Sequence, residues 1–207
     1  SSKVIHFKNL PTPTGKNTVG TSLFYWIDST RTEWYTSELS GFRKMMVQIW
    51  YPGIGNSKKK EPYMDRMNER IPAFATEMGI PSFAIHNMTE IKSNSISNIP
   101  SVSGLFPIVL FSHGLGGMRT QNSIQAEELA SKGFIVIAPD HMYDANISLY
   151  LDGSYANYIS SVPKNISNEE WWKIRLNQLE KRTGDMQYIL DKLVDIDSGL
   201  ISSPVSG

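Results

Sequence analysis

The sequence contains no cysteine among its 207 residues. Disulfide bonds, a thiolate nucleophile and a cysteine-type zinc site are therefore excluded within this chain. An excess of charge of one sign is lacking as well, because 20 Lys and Arg residues balance 20 Asp and Glu residues. Since a chain of zero formal net charge has no field that attracts nucleic acid, we expect no nucleic-acid partner.

Long apolar runs are also lacking, and none approaches the roughly 18 to 20 residues that span a bilayer. The opening residues, SSKVIHFKNLP, lack the apolar core of a signal peptide. These absences leave the compartment open, with a lean towards a secreted or extracytoplasmic location. What the chain does have is 40% hydrophobic and 11% aromatic residues, which is ample for one buried core.

Two segments in the first half of the chain have the β-branched and aromatic content of strands. They are SLFYWID (22–28) and MMVQIWYP (45–52), and we expect them to pair as a hairpin. Residues 63–89 contain apolar positions that Pro72 and Pro81 interrupt. Because proline disrupts a helix interior, this pattern predicts short helical pieces that form a lid or a flank.

A sharper pattern begins at FPIVLFS (106–112), a nearly continuous apolar run. Such runs are typical of strands buried on both faces in a parallel sheet. Residues 120–132 are compatible with a helix that Gly133 ends, and FIVIAPDH (134–141) predicts a second buried strand. Strand, helix and strand in this order form a βαβ unit, so the sequence predicts the α/β fold class.

The last third of the chain predicts one long helix. Residues 142–163 form an irregular segment with four tyrosines, after which Ser167 and Glu170 make an S-x-x-E capping box. Apolar residues then recur at steps of three and four, which predicts an amphipathic helix over 168–195. We expect this helix to cover the sheet, with the apolar stripe from Trp172 to Leu193 packed in the core.

The glycine-rich turn SHGLGG (112–117) joins the first buried strand to its helix, and such turns have two well-known uses. One is dinucleotide binding, because Gly114 and Gly116 begin a G-x-G-x-x-G pattern and Asp140 ends the next strand, near where a ribose-binding acid would lie. Arg119 stands at the third glycine, where a side chain would obstruct close packing of helix and strand. We therefore favour the other use.

The second use is an oxyanion hole, in which a backbone N–H stabilises the negative oxygen that develops on a carbonyl under nucleophilic attack. In α/β-hydrolases the loop after the third strand, often of the HG type, supplies one such donor. We predict that Leu115 provides this N–H and that His113 braces the loop rather than acting as a base. Ser112 lies at a strand end without a nucleophile elbow, so we do not assign it as the nucleophile. The remaining residues predicted to shape the loop are Gly114, Gly116 and Gly117.

Five blocks of the sequence, in this order, resemble the plasma-type (isoform II) platelet-activating factor acetylhydrolases and their bacterial lipase-like relatives. The blocks are PTPTGKNTVGT (11–21), MMVQIWYP (45–52), FPIVLFSHGLGGMRT (106–120), ASKGFIVIAPDH (130–141) and RLNQLEKRTGDMQYILDKLVDID (175–197). The resemblance implies an α/β-hydrolase fold, a Ser-Asp-His triad, and no metal or organic cofactor. It also implies hydrolysis of short or oxidised acyl chains from phospholipids and related esters. Matching the SHGLG segment carries over Leu115 as one oxyanion donor, the other being the residue after the nucleophile.

The family's nucleophile lies in a G-x-S-x-G elbow, and this sequence has none. GTSLF at Gly20 lacks the last glycine, and the terminal SPVSG lacks the first. We therefore expect residues 1–207 to form the N-terminal part of a single α/β-hydrolase domain, with the triad after Gly207. This part would contain the initial antiparallel strands, the βαβ unit and the covering helix.

The expected partners follow from this interpretation. They are a small-molecule or lipid ester, the remainder of the hydrolase on the same or a second chain, and a lipid surface in transient contact. Without that remainder, we expect an exposed sheet edge that favours association. Two alternatives stay open, namely a nucleotide-binding βαβ domain and a non-catalytic module that binds lipid or protein through residues 142–172.

Overall fold

A five-stranded mixed sheet organises the protein. The computed structural model describes residues 10–33, 41–56, 61–160, 162–201 and 203. The elements of the sheet and its flanks are β1 (Thr18–Thr32), β2 (Phe42–Gly53), α1 (Met67–Met78), a 3₁₀ helix (Ser82–Glu90), β3 (Ile96–Ser97), β4 (Ile108–Leu110), α2 (Ser123–Ser131) and β5 (Ile135–His141). The hairpin strands β6 (Ile147–Leu149) and β7 (Tyr155–Asn157) and the helix α3 (Asn168–Asp197) follow.

The predicted hairpin is confirmed, because β1 and β2 pair antiparallel from Thr18 opposite Gly53 to Thr32 opposite Phe42. On its other side β2 pairs antiparallel with β5, which makes it a central strand. The run MMVQIWY in β2 contains Met45, Met46 and other large side chains that are at most 1% exposed. A nearly continuous apolar run is what a strand buried on both faces requires.

The predicted βαβ unit is also confirmed, since β4 and β5 are parallel and α2 connects them. β5 is buried along almost its whole length, as the sequence predicts. The prediction that the first strand is buried on both faces is wrong, because Ile108 in β4 is 49% exposed. Among the described residues, the strands of the sheet follow the order β3-β1-β2-β5-β4, so β4 lies at its edge with β5 as its one bonded neighbour.

Residues 63–89 form two short helical pieces, as predicted. Pro81 separates α1 from the 3₁₀ helix, whereas Pro72 lies inside α1 and does not end it. Ile71 and Phe74 of α1 are buried in a small cluster with Met64. Along the part of the chain that the structure describes, no helix is both long and apolar enough to cross a membrane.

The long helix α3 and its capping box at Ser167 and Glu170 are confirmed. Ile189 and Ile196 pack against the sheet in the main core cluster, while α2 packs on the opposite face. The prediction that the whole stripe from Trp172 to Leu193 is core is wrong. Three of its members are 59–60% exposed, namely Trp172, Leu176 and Leu179. In this first half of α3 the buried residue is polar instead, because Gln178 bonds to the loop after β5.

Candidate active site

The glycine turn leaves the carboxyl end of β4 beside the carboxyl end of β5. In open α/β sheets this edge is where ligands bind. The loop continues into α2, and the segment after β5 packs against it. Gly116 N–H donates to Asp144 O at 2.8 Å, and Asn146 N–H donates to Gly117 O at 2.8 Å. The predicted loop residues, 113–117, therefore lie together at the carboxyl edge of the sheet.

Several backbone N–H groups in and after the glycine turn already donate hydrogen bonds and are therefore not available to an oxyanion. Gly116 N–H is used by Asp144 O, and Gly117 N–H donates to Gly114 O at 3.0 Å. The next two N–H groups along the chain donate to side-chain oxygens. Among the described residues, by contrast, Gly114 N–H and Leu115 N–H find no hydrogen-bond acceptor. The structure therefore leaves two donors free, and the predicted one is among them.

The side chain of His113 is buried and fixes the direction of the next peptide group. Its Nε2 accepts the N–H of His141 at 3.0 Å, so Nδ1 carries the proton and donates to Gly114 O at 2.6 Å. Gly114 C=O and Leu115 N–H belong to one planar trans peptide group. Burial lowers the pKa of His113, which keeps Nε2 free to accept. We retain the prediction that His113 braces the loop.

The three glycines of the loop differ in whether the structure leaves room for a side chain. Gly116 has φ +71°, in the left-handed region, and a Cβ there would lie 2.7 Å from Glu77 Oε1. A Cβ on Gly117 would overlap Gln121 Oε1 and would lie 3.0 Å from Gly114 O. A Cβ on Gly114 would meet nothing within 4 Å among the described residues. The open side of the loop is therefore at Gly114, next to both free N–H groups.

A groove of about 560 Å³ lies beside the loop, between α1 and the β6–β7 hairpin. Glu77 and Asn146 line it. Glu77 Oε1 lies beside Gly116, where a Cβ would meet it, and Asn146 N–H bonds to Gly117 O. Its other lining residues are Glu69, Pro72, Ala73, Thr76, Ile147, Tyr155, Asn157 and Tyr158. The groove has the size of a small-ligand site and an amphipathic lining.

Sequence reasoning missed a hydrogen-bonded network that begins at Ser112. Ser112 is exposed, and its Oγ lies 2.9 Å from His141 Nε2. The opposite ring nitrogen, Nδ1 of His141, lies 2.8 Å from Asp185 Oδ2. These contacts have the connectivity of a Ser-His-Asp triad, which is recognised by geometry rather than by sequence position. No spacing or motif could have indicated it, because the three residues come from three separate elements.

The electrostatics of this network do not suit a nucleophile. Burial lowers the pKa of His141 to about 4, against the raising effect of Asp185. Burial alone would raise the pKa of Asp185, but the Arg43 guanidinium and the hydrogen bonds of His141 and Arg43 hold it well below its usual range. His141 is 0% exposed, and its lowered pKa makes it a weak base at neutral pH. Ser112 therefore stays unassigned as the nucleophile.

Asp140, the candidate ribose-binding acid, is engaged elsewhere. It is 0% exposed and accepts the Arg119 N–H at 2.7 Å as well as the Arg119 guanidinium. Arg70 lies 3.7 Å away on the same carboxylate. Arg119, at the position of the third glycine, thus forms a buried ion pair with Asp140. Asp140 is therefore not accessible to a ribose hydroxyl. Within the described ranges, no group of three or more acidic, His or Cys side chains is arranged to hold a metal ion.

Comparison with known proteins adds to this geometry. The family model described as platelet-activating factor acetylhydrolase, isoform II, matches residues 6–205. Platelet-activating factor acetylhydrolase of Bos taurus is 34% identical over 106 residues, which are 45% of this chain and 22% of that protein. The Cavia porcellus protein of the same name is 26% identical over 179 residues, which are 79% of this chain and 40% of that protein. The chain thus spans less than half the length of these relatives.

Among solved structures, a ferulic acid esterase from Streptomyces cinnamoneus is similar to this chain with a TM-score of 0.71. The sequence identity is 21%, and the match covers 89% of this chain and 48% of that one. A likeness at this level of identity concerns the fold alone. It confirms the α/β-hydrolase fold that the sequence predicts.

Proposed function

This chain belongs to the platelet-activating factor acetylhydrolase, isoform II, family, and we propose that the protein is a hydrolase of short-acyl or lipid-like carboxylic esters. One observation carries the proposal, namely the free N–H groups of Gly114 and Leu115 at the carboxyl edge of the sheet. The peptide group between them is held by His113 and by Gly117 N–H. Preorganised donors of this kind stabilise an oxyanion, each by about 3 kcal/mol in well-studied hydrolases.

In the proposed mechanism, a serine hydroxyl attacks the ester carbonyl while a histidine takes its proton. The carbonyl oxygen becomes negative and is stabilised by the Leu115 N–H. The histidine then protonates the departing alcohol, and water hydrolyses the acyl-enzyme in the same way. An aspartate orients the histidine, and no metal or organic cofactor takes part.

The nucleophile, acid and base belong, in this proposal, to a part of the protein outside residues 1–207. Three observations support this assignment. The sequence contains no G-x-S-x-G elbow, and the related proteins are more than twice as long as the segments that match. The exposed edge of β4 also supports it, since Ile108 there is 49% exposed and β4 is paired on one side only within the part of the chain that the structure describes. The remainder of the hydrolase would pair along this edge.

The groove between α1 and the β6–β7 hairpin is the proposed site for a substituent of the ester. Its position supports this role, because Glu77 and Asn146 join its lining to the glycine turn. A lipid-like ester also requires access to a lipid surface. The exposed apolar side chains of Trp172, Leu176 and Leu179 support a transient contact of that kind.

Labelling with a fluorophosphonate, which modifies activated serines, tests the proposal. We expect the full-length protein to hydrolyse p-nitrophenyl acetate and to carry one adduct, outside residues 1–207. An adduct on Ser112 would contradict the proposed location of the nucleophile. Ester binding without turnover or labelling would favour the non-catalytic module, and a thermal shift with NAD(P) but not with an ester would favour the nucleotide-binding alternative.

Replacing Gly114 with alanine is expected to lower kcat for ester hydrolysis by at least about tenfold without destabilising the fold. The new methyl group meets no described atom within 4 Å, but it stands next to both free N–H groups, where the oxyanion would lie. Steady-state kinetics and thermal unfolding of the full-length protein check this.

The matched control is Gly116→Ala, two residues along the same loop. Its positive φ makes alanine costly, so this variant should lose about 1–2 kcal/mol of stability. Equal melting temperatures for the two variants would contradict the expected strain at Gly116. Unchanged kcat in Gly114→Ala would show that Gly114 has no special position at the site.

A further inference from the structure

Arg182 on α3 reaches the start of the glycine turn. Its Nη2 donates to the backbone oxygen of His113 and, at 2.8 Å, to Ser112 Oγ. These contacts join residues that are about 70 positions apart in the sequence. The guanidinium is half-buried, and burial lowers its pKa while the nearby carboxylates of Asp144 and Asp185 raise it. Arg182 is therefore a fixed contact of the loop rather than a solvated surface charge.

The donor and the acceptor of each hydrogen bond around Ser112 can be assigned. Because Nδ1 of the neutral His141 ring donates to Asp185, its Nε2 must accept the hydroxyl proton of Ser112. Ser112 Oγ then has a lone pair free to accept from Arg182. Asp185 receives two further hydrogen bonds from Arg43, at 2.9 and 2.6 Å. Each member is satisfied, which is the condition under which a buried polar network becomes rigid.

The two free N–H groups belong to peptide groups whose carbonyls are held by side chains. Gly114 N–H shares its peptide group with His113 C=O, which Arg182 holds. Leu115 N–H shares its peptide group with Gly114 C=O, which the His113 ring holds. Because a trans peptide is planar, fixing each oxygen fixes the N–H on the opposite side.

We propose that Arg182 is a positioning residue of the oxyanion site. By holding His113 C=O it directs the Gly114 N–H of the same peptide group, and it anchors His113, whose ring directs the Leu115 N–H that stabilises the oxyanion in the proposed mechanism. The inference rests on the proposed esterase function, since it assigns Arg182 to the same site. Arg182 does not contact the reacting atoms. It sets the direction of one free donor and anchors the residue that sets the direction of the other.

Kinetics of the full-length protein with p-nitrophenyl acetate test the proposal. We expect Arg182→Ala to lower kcat by at least about tenfold and to change KM by less than about twofold, because an oxyanion donor acts mainly in the transition state. Arg182→Lys retains the positive charge and an N–H donor, although not the guanidinium, so it should recover part of kcat. The matched control is Arg175→Ala, two turns earlier on the same helix, since Arg175 bonds to Gln178 rather than to the loop.

An amide spectrum of the protein, recorded by ¹⁵N NMR, separates failure of this proposal from failure of the proposed function. Arg182→Ala should shift the Gly114 and Leu115 amide signals, and Arg175→Ala should leave them in place. Unchanged kcat in Arg182→Ala, no rescue by lysine, or unmoved Gly114 and Leu115 signals would each overturn the positioning role. Absence of hydrolysis by the wild type would overturn the esterase function, and the amide signals would then decide the structural contact by themselves. If the alanine variant does not fold, the lysine variant supplies the same measurements.

Discussion

Replacing Asp185 with alanine is expected to destabilise the fold by about 3–5 kcal/mol, among the largest losses for one substitution in this chain. The carboxylate is fully buried and pairs with Arg43, whose side chain is 1% exposed. It also lies 3.0 Å from Arg31 and accepts the His141 Nδ1–H. Without Asp185 the Arg43 charge remains buried with Met142 O as its acceptor, and His141 loses its partner. Urea unfolding followed by circular dichroism measures the loss.

Two further variants make this prediction specific. Asp191→Ala, on the exposed side of the same helix, should change the free energy of unfolding by less than about 0.5 kcal/mol. The double variant Arg43→Met with Asp185→Leu should lose less than the sum of the two single variants, because it removes the charge and its partner together. Additive losses would show that the ion pair is not the cause, and a single loss below about 1 kcal/mol for Asp185→Ala would contradict the burial of the carboxylate.

The sheet could be predicted from the sequence where one residue pattern permits one environment. The apolar run in β5 is buried on both faces, as its composition indicated, whereas the composition of β2 predicted only a strand of a hairpin and the structure shows it to be central. The same reasoning failed for β4, where Ile108 is 49% exposed. An apolar run shows that a strand is suited to burial, but exposure depends on what lies beside it, and β4 is an edge strand in the described sheet.

In α3 the periodicity of apolar residues predicted the helix but not which of those residues are buried. The spacing of apolar residues predicted the helix and its start at Ser167, which local chemistry fixes through the capping box. It could not predict that Ile189 and Ile196 face the core while Trp172 and Leu176 are about 60% exposed. The point at which a helix begins to cover a sheet is set by tertiary packing, and the helix extends beyond that contact.

At the candidate site, the sequence predicted the glycine-rich loop but not the side chains from other elements that support it. Glycines in a turn after a strand suggest close backbone approach, so residues 113–117 could be proposed from the sequence. The support comes from Arg182, His141 and Asp185, which lie on two other elements and have no motif in common. Buried ion pairs such as that of Arg43 and Asp185 also give no sequence signal, because each residue alone resembles a surface charge.

Lowering the pH is expected to weaken the fold well before the carboxylates titrate, because His141 is held neutral. Its pKa is lowered from 6.5 to about 4 by burial, and the unfolded chain has a pKa near 6.5. The groups that face it are Asp185 and Arg182 from α3, His113 from the loop and, through Asp185, Arg43 of β2. Burial also lowers the pKa of His113, which acts in the same direction.

Above the unfolded pKa the ring is neutral in both states, so the ionisation of His141 does not change the stability of the fold there. As the pH falls from about 6.5 to about 4, the unfolded chain binds a proton that the folded chain does not, and stability falls by about 1.4 kcal/mol per unit. His141 alone should therefore remove about 2 kcal/mol by pH 5 and about 3 kcal/mol by pH 4. Since the pKa of Asp185 is also lowered, its own contribution is lost only at still lower pH.

Urea midpoints measured between about pH 7.5 and about pH 4.5 test this dependence. His141→Gln should be less stable than the wild type near neutral pH, because the hydrogen bonds to Ser112 and Asp185 are disturbed, yet its stability should fall less steeply with acid. His86→Gln, at an exposed position of the 3₁₀ helix, should keep the wild-type slope. A wild-type protein equally stable at about pH 7.5 and about pH 5 would show that His141 takes up a proton in the folded state. In that case Nε2 would become a donor, Ser112 could no longer donate to it, and the anchoring of the loop by Arg182 would have to be independent of His141.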